Sequence, residues 1–204
     1  MSRYLGPLWR KSRALNFSLL GTKKEFSRGK KRITRPGMHG HKRKRKLSLY
    51  ATKLQEKQKI MFSYGWRNKQ MKNEYIKAKA KTGDTGVNLL ISSESRLDNL
   101  IFKSGLLNTI DFAREWVSHG HFLVNDKKVK IPSYKIEPGQ TISFKKEKMR
   151  ENKLVKGILE QNIKTSPYLT FDRQKLTIKY VRYPLPEELN KDINTSLVVE
   201  WYNQ

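Results

Sequence analysis

Apolar positions change their spacing twice along this chain, and the changes divide it. Residues 1–45 show few apolar positions after Leu20. Over 47–81, Tyr50, Leu54, Met61 and Tyr64 recur at spacings that share one face of a helix, with Lys53, Lys57 and Lys59 on the other faces. Gly65 stops that helix, a second is predicted over 68–79, and Thr82-Gly83-Asp84-Thr85-Gly86 makes a loop that 88–93 follows. Leu97, Leu100, Ile101 and Ser104 then fall at i, i+3, i+4 and i+7, which predicts a helix closed by Gly105. Asn108 or Thr109 caps the next helix and Asp111 complements its dipole. Phe112, Ala113, Trp116 and Val117 give that helix one apolar face, and Gly120 ends it.

Beyond Gly120 the spacing becomes two. Phe122 and Val124 alternate, Asn125-Asp126 suits a tight turn, and Val129 and Ile131 continue a return strand that Pro132 terminates. Pro138-Gly139 provides a second turn before a strand over 141–144. A helix is predicted over 153–162, strands over 168–183, a short acidic helix over 187–194, and a buried apolar segment over 197–202. No period of 20 to 50 residues is present, which argues against a solenoid. The fold class is α+β: mainly helical, with a compact α/β module of two short helices plus antiparallel hairpins and a basic N-terminal extension.

Charge gives these elements a partner. The 204 residues hold 44 Lys+Arg against 18 Asp+Glu, a formal charge of +26 and a pI near 10.2. Such a chain seeks a polyanion, either nucleic acid or an anionic membrane surface. No apolar run approaches the roughly 20 residues of a membrane span, so no membrane partner is expected. Residues 1–13 lack the apolar core of a secretory signal, which predicts a cytoplasmic protein. With no cysteine, disulfides and thiolate metal sites are excluded, and four histidines leave a small supply of strong metal ligands. An apolar fraction of 36% predicts a small core with long polar surfaces. In residues 1–45, Glu25 is the only acid, and Gly21, Gly29, Gly37 and Gly40 recur; this arm is expected to order only against an anionic partner.

The module places Arg114 on its second helix and Lys127, Lys128 and Lys130 around its hairpin, where all four can reach one phosphate-lined surface. Double-helical RNA hides its base edges in a narrow groove, so shape, phosphate and 2′-hydroxyl contacts are the natural readout. The plainer alternative is that these lysines only solubilise a small domain. Catalytic patterns are weak. No serine has a nucleophile-elbow context, and Gly83-Asp84-Thr85-Gly86 lacks the Lys-Ser/Thr ending of a phosphate-binding loop. His39-Gly40-His41 and His119-Gly120-His121 lack the further ligands a metal needs, so hydrogen bonds to RNA or backbone are expected of them. Trp116 and Trp201 are expected in cores, while Trp9 can stack on a base. No catalytic residue, metal or cofactor is expected.

Ordered matches along the chain give a resemblance. They run from Arg3-Tyr4-Leu5-Gly6-Pro7 through Pro36-Gly37-Met38-His39-Gly40, Gln55-Glu56-Lys57-Gln58-Lys59 and Ser95-Arg96-Leu97-Asp98-Asn99. They continue with Val117-Ser118-His119-Gly120-His121, Val124-Asn125, Ile131-Pro132-Ser133-Tyr134 and Pro138-Gly139-Gln140. Tyr168-Leu169-Thr170-Phe171-Asp172 and Leu197-Val198-Val199-Glu200-Trp201-Tyr202 complete the series. The chain thus resembles the bacterial-type family of small-subunit ribosomal protein number four over nearly its whole length.

That resemblance implies a primary binder of 16S rRNA in the small ribosomal subunit, one that nucleates assembly of the 30S body and contributes to decoding accuracy. It implies ribosomal proteins five and twelve as partners, and a basic arm near the mRNA entry region. Lys42, Arg43, Lys44, Arg45 and Lys46 are then candidates to face rRNA or incoming mRNA, two targets between which the sequence does not choose. The full RNA-facing set adds Arg3, Lys11, Arg13, Arg35, His39, Lys53, Lys57, Arg96, Arg114, His119, His121, Lys127, Lys128 and Lys130. The tail is implied to fold back on the earlier helices, so that the module is an insertion. The expected domains are an arm over 1–45, a helical domain over 46–92 and 185–204, and the RNA-binding module with its associated strands over 93–184.

Departures from the family also matter. Some relatives hold zinc through arm cysteines, which this chain lacks, and a Thr-Arg pair common at the second module helix is here Thr109-Ile110. A Tyr-Gly after the arm is Tyr50-Ala51. The rival reading is a pseudouridine synthase, whose Arg-Leu-Asp motif matches Arg96-Leu97-Asp98. Here the triplet opens a helix of the binding module, and residues 145–204 are too few for the extra catalytic domain.

Overall fold

The computed structural model describes residues 4–21, 23–27, 33–42, 46–145, 165–172 and 175–203. The chain forms two compact units, Met1–Leu89 with Asn190–Gln204, and Leu90–Leu189. The described helices are α1 (Leu8–Leu15), α2 (Leu49–Ser63), α3 (Asn68–Lys79), α4 (Thr85–Glu94), α5 (Leu97–Lys103), α6 (Ile110–His119) and α7 (Thr195–Tyr202). The described strands are β1 (Phe122–Val124), β2 (Lys127–Lys128), β3 (Thr141–Phe144), β4 (Leu169–Asp172) and β5 (Thr177–Tyr180). This is the α+β class that the pattern predicts. The helix expected over 153–162 lies outside the described residues.

The N-terminal stretch has structure of its own, contrary to the expectation of an arm ordered only by a partner. Ser12 and Leu15 are buried on one face of α1. The Ser12 carbonyl accepts the Phe17 N–H at 3.1 Å and its hydroxyl accepts the Leu19 N–H at 3.3 Å. The chain therefore turns back and buries Phe17 and Leu19. Burying two large apolar side chains supplies stabilisation that the dense charge concealed.

Helix α2 starts at Ser48, whose hydroxyl accepts the Ala51 N–H at 3.2 Å. Its buried face differs from the expected one. Lys53, Glu56, Lys57 and Ile60 are buried, whereas Tyr50 is 61% exposed. The reason is α7, which brings Glu200 to 3.2 Å from the Lys53 amine and places the Trp201 and Tyr202 rings 4.9 and 5.4 Å from the Lys57 amine. Glu56 accepts from the Lys59 amine at 2.6 Å and from the Asn194 N–H at 3.0 Å, so one carboxylate joins α2 to the start of α7. Tyr75 of α3 stacks on Tyr202 at 4.6 Å.

The second unit follows its sequence pattern more closely. Thr109 caps α6 by accepting the Phe112 N–H at 3.2 Å, and Gly120 closes the helix at φ 73°. Asn125 and Asp126 both take positive φ, 44° and 63°, the type I′ geometry that matches hairpin twist. The sheet has the order β2-β1-β3-β5-β4 with every pairing antiparallel, Phe122 opposite Phe144 and Ile142 opposite Ile178. Leu97, Leu100, Ile101, Trp116, Ile142 and Tyr180 belong to one buried core.

The return strand is shorter than expected, because Val129 and Ile131 lie outside β2. Past Lys130 the chain leaves the hairpin and its carbonyls serve α5. The Pro132 and Tyr134 carbonyls accept the Asp98 and Leu97 N–H groups at 3.1 and 2.9 Å. Those donors would otherwise be orphaned in the helix's first turn. The acidic helix expected over 187–194 is also reduced, to a single 3-10 turn at Pro186–Glu188.

Candidate nucleic-acid interface

The end of α6 and the β1–β2 hairpin gather one group of basic side chains. Lys127, Lys128, Lys130 and His119 are all exposed. A Cβ added to Gly120 would lie 2.6 Å from Lys128 Cε and 3.2 Å from Lys130 Cγ, so both lysine stems cross the helix terminus over a residue without a side chain. The terminal carbonyls of α6 favour positive charge there. Lys127 and Lys130 make no ion pair among the described residues. His119 stands 3.8 Å from Glu115 and 6.0 Å, ring to ring, from His121, whose ring meets the edge of Trp116 at 5.4 Å.

Arg114 is fixed from behind. Asp98, fully buried, lies 3.3 Å from the Arg114 guanidinium and accepts two bonds from Arg96, Nε at 3.0 Å and Nη2 at 2.7 Å. Its Oδ1 also accepts the Asn99 N–H at 3.0 Å. A carboxylate so occupied and so buried orients two arginines and has no approach for a substrate. Arg96 is correspondingly not a surface cation. Only 3% exposed, it is held by Asp98, which corrects its placement among the RNA-facing residues.

The floor of the module is a second buried polar cluster. Glu94 accepts from Asn99 Nδ2 at 2.6 Å and from the Tyr168 hydroxyl at 3.1 Å, and the Ser95 and Tyr180 hydroxyls lie 3.1 Å apart. Burial raises the pKa of both tyrosines, that of Tyr180 to about 12, so they remain neutral hydrogen-bonding groups. These bonds hold Glu94 and Ser95, which precede Arg96, against the β4–β5 end of the sheet.

In the first unit, the expected RNA-facing residues divide. Lys53 and Lys57 are corrected in the same way as Arg96: they are 5% and 7% exposed and spent on α7, and burial lowers the Lys57 pKa. Lys11 holds its amine 5.5 Å from the Tyr4 ring and 5.3 Å from the Phe62 ring. Arg13 donates to the Trp9 and Thr34 carbonyls and Arg35 to the Lys42 carbonyl. His39, Lys42 and Lys46 are exposed. Arg3, Arg43, Lys44 and Arg45 lie outside the described residues. Two further basic side chains come together with Arg13 and Arg35, namely Arg10 and His41. The i, i+3 spacing of Arg10 and Arg13 was the available signal, visible only once 8–15 is read as a helix.

Comparison with known proteins agrees with this architecture. Residues 3–94 match the ribosomal protein S4/S9 N-terminal domain, and residues 95–142 match the S4 domain. The small ribosomal subunit protein uS4 of Mesoplasma florum is 46% identical over 206 residues, covering 100% of this chain and 99% of the relative. The chain belongs to the uS4 family. The uS4 proteins of Mycoplasma capricolum and Oenococcus oeni are 46% and 47% identical, again over all of this chain and 98% and 99% of theirs. The uS4 family is one of ribosomal proteins, not of enzymes, so the Arg-Leu-Asp triplet at 96–98 has the structural role its burial describes. The β4–β5 pair extends the sheet beyond the matched S4 domain.

Proposed function

We propose that this chain is a structural constituent of the small ribosomal subunit, in the cytoplasm, and that it binds 16S rRNA directly, nucleates assembly of the 30S body and contributes to translational accuracy. The observation that carries the reading is the row of exposed cations at the end of α6, presented by the S4 domain of a chain with formal charge +26. Lys127, Lys128 and Lys130 supply charge that releases counterions from phosphate. Arg114, oriented by Asp98, supplies a fixed guanidinium fork that recognises phosphate geometry. His119 and His121 border the same surface. Shape and backbone contacts to an RNA junction suit this arrangement better than base reading does.

The arm residues Lys11, Arg13, Arg35, His39, Lys42 and Lys46 form the second RNA-facing set in this reading, with Arg3 and residues 43–45 continuing it toward rRNA or mRNA at the entry region. Ribosomal proteins five and twelve are the proposed protein partners. The proposed domains are the arm over 1–45, the helical domain over 46–92 and 185–204, and the module over 93–184. The deciding test is equilibrium binding to the 5′ domain of 16S rRNA and to a scrambled RNA of equal length, across a salt series with magnesium. A preference for the rRNA that survives high salt is expected. Equal binding to both, collapsing together as salt rises, would leave only nonspecific polyanion binding.

A further inference from the structure

The first unit contains a cleft of about 660 Å³ between α1 and the segment 33–41. Arg10, Arg13, Arg35 and His41 line it with Ile33 and Met38, and no acidic side chain lines it among the described residues. Its walls are tied to backbone. Arg13 donates to the Trp9 carbonyl at 3.4 Å and to the Thr34 carbonyl at 3.3 Å, which fixes α1 to the far wall. Arg35 Nη2 donates to the Lys42 carbonyl at 3.0 Å, closing a loop in which Gly40 N–H reaches the Gly37 carbonyl at 3.2 Å and Lys42 N–H the His39 carbonyl at 3.1 Å. A Cβ on Gly40 would collide with the Arg35 carbonyl, so the loop closes only around glycine. The closed loop leaves Met38 88% exposed and Ile33 48% exposed.

Three guanidinium groups around one space repel each other, so an anion is the occupant that relieves the cost of gathering them. The volume lies in the range of small-ligand clefts, on the order of 300–1,000 Å³. A bare phosphate would leave the apolar side unused, and a base-paired strand keeps its base faces inside the stack. We propose that the cleft takes one unpaired nucleotide of the bound RNA, its phosphate on Arg10 and Arg35 and its base against Met38 and Ile33. The assignment rests on the RNA-binding reading above and adds the unit of RNA that this unit of the protein selects.

The test probes base reactivity, nucleotide by nucleotide, in the 5′ domain of 16S rRNA bound to the full chain and to its Arg10→Gln and Met38→Ala variants. Both substitutions are at exposed positions, and a thermal melt checks that each variant folds. In the wild-type complex, one unpaired base that reacts in free RNA is expected to be protected, and to regain reactivity with either variant. Arg10→Gln should also reduce the salt slope of binding by about 0.7, whereas Met38→Ala leaves the slope unchanged. In a second arm, 5′-adenosine monophosphate should bind the free protein about tenfold more tightly than inorganic phosphate, from burial of the base against the Met38 and Ile33 side chains. An unchanged protection pattern in both variants, with binding retained, overturns the cleft assignment alone. Equal affinity for phosphate and mononucleotide overturns the role of Met38 and Ile33. Failure of the wild type to prefer the rRNA over scrambled RNA overturns the RNA-binding reading itself, and the cleft assignment with it.

Discussion

Lys53 and Lys57 on α2 and Lys127, Lys128 and Lys130 on the hairpin carry the same side chain to opposite ends. The first two are buried, one against the Glu200 carboxylate and the other over the rings of Trp201 and Tyr202. The hairpin lysines are exposed, and the stems of Lys128 and Lys130 lie across the end of α6. What differs is the element that arrives opposite. A lysine stem covers apolar surface readily, and its charge is available to a polyanion only where the fold leaves the head group solvated. A count of cations therefore overstates the charge that a polyanion could reach, and burial sorts it.

The comparison makes a sharp division: substitutions in the buried set should move stability, and those in the exposed set should move the salt dependence of RNA binding. The largest effect is expected from Asp98→Ala. It strands the buried Arg96 charge and should cost about 3–5 kcal/mol in urea unfolding; a loss under about 1 kcal/mol would mean that Arg96 finds other support. Lys57→Ala should cost about 1–2 kcal/mol from lost cation–π and stem packing, with the salt slope unaltered. A reduced slope would return Lys57 to the RNA-facing set. Lys127→Ala with Lys128→Ala should give the reverse signature, a slope smaller by about one to two units and a melt shifted by less than about 0.5 kcal/mol. Intact affinity and slope would remove the hairpin from the interface.

The smallest effect concerns a cation that is paired yet solvated. Arg182 donates to Glu188 at 2.8 and 2.6 Å and Leu185 N–H adds a bond at 2.8 Å, so Arg182 first, then the amide, hold the Glu188 carboxyl at about 2, below its ordinary 4.5. A depressed acid contributes stability that is complete above its unfolded pKa and lost as pH falls through its folded one. Glu188→Gln should therefore flatten acid unfolding slightly between pH 4.5 and 2, solvent screening keeping the change small. Titration of the Glu188 carboxyl by NMR checks the premise, and a midpoint near 4.5 would dismiss it.

What the sequence disclosed was local chemistry. Thr109 as a cap, Gly120 as a stop and Asn125-Asp126 as a turn each act on neighbours within a few residues, and the structure has all three. What escaped depends on distant partners. Nothing near Lys53 or Lys57 indicates burial, because the residues that cover them lie on α7 at the other end of the chain. Ser12 occupies a core position of α1, so the apolar spacing there is interrupted and the helix is masked. In the candidate interface, the positions of the hairpin lysines and of Arg114 on their elements were legible from turn and helix signals. The anchoring of Arg114 by Asp98 and the gathering of Arg10 with His41 required the fold.

Helix α5 begins where the chain has no side-chain cap, and its first amides bond instead to the Pro132 and Tyr134 carbonyls. Helix ends ordinarily fray, and their amides exchange with solvent ahead of global unfolding. Here the Leu97 and Asp98 amides are released only when the segment past the hairpin lets go. Their deuterium uptake is expected to follow the opening of the whole module, which makes a first-turn amide its slowest clock.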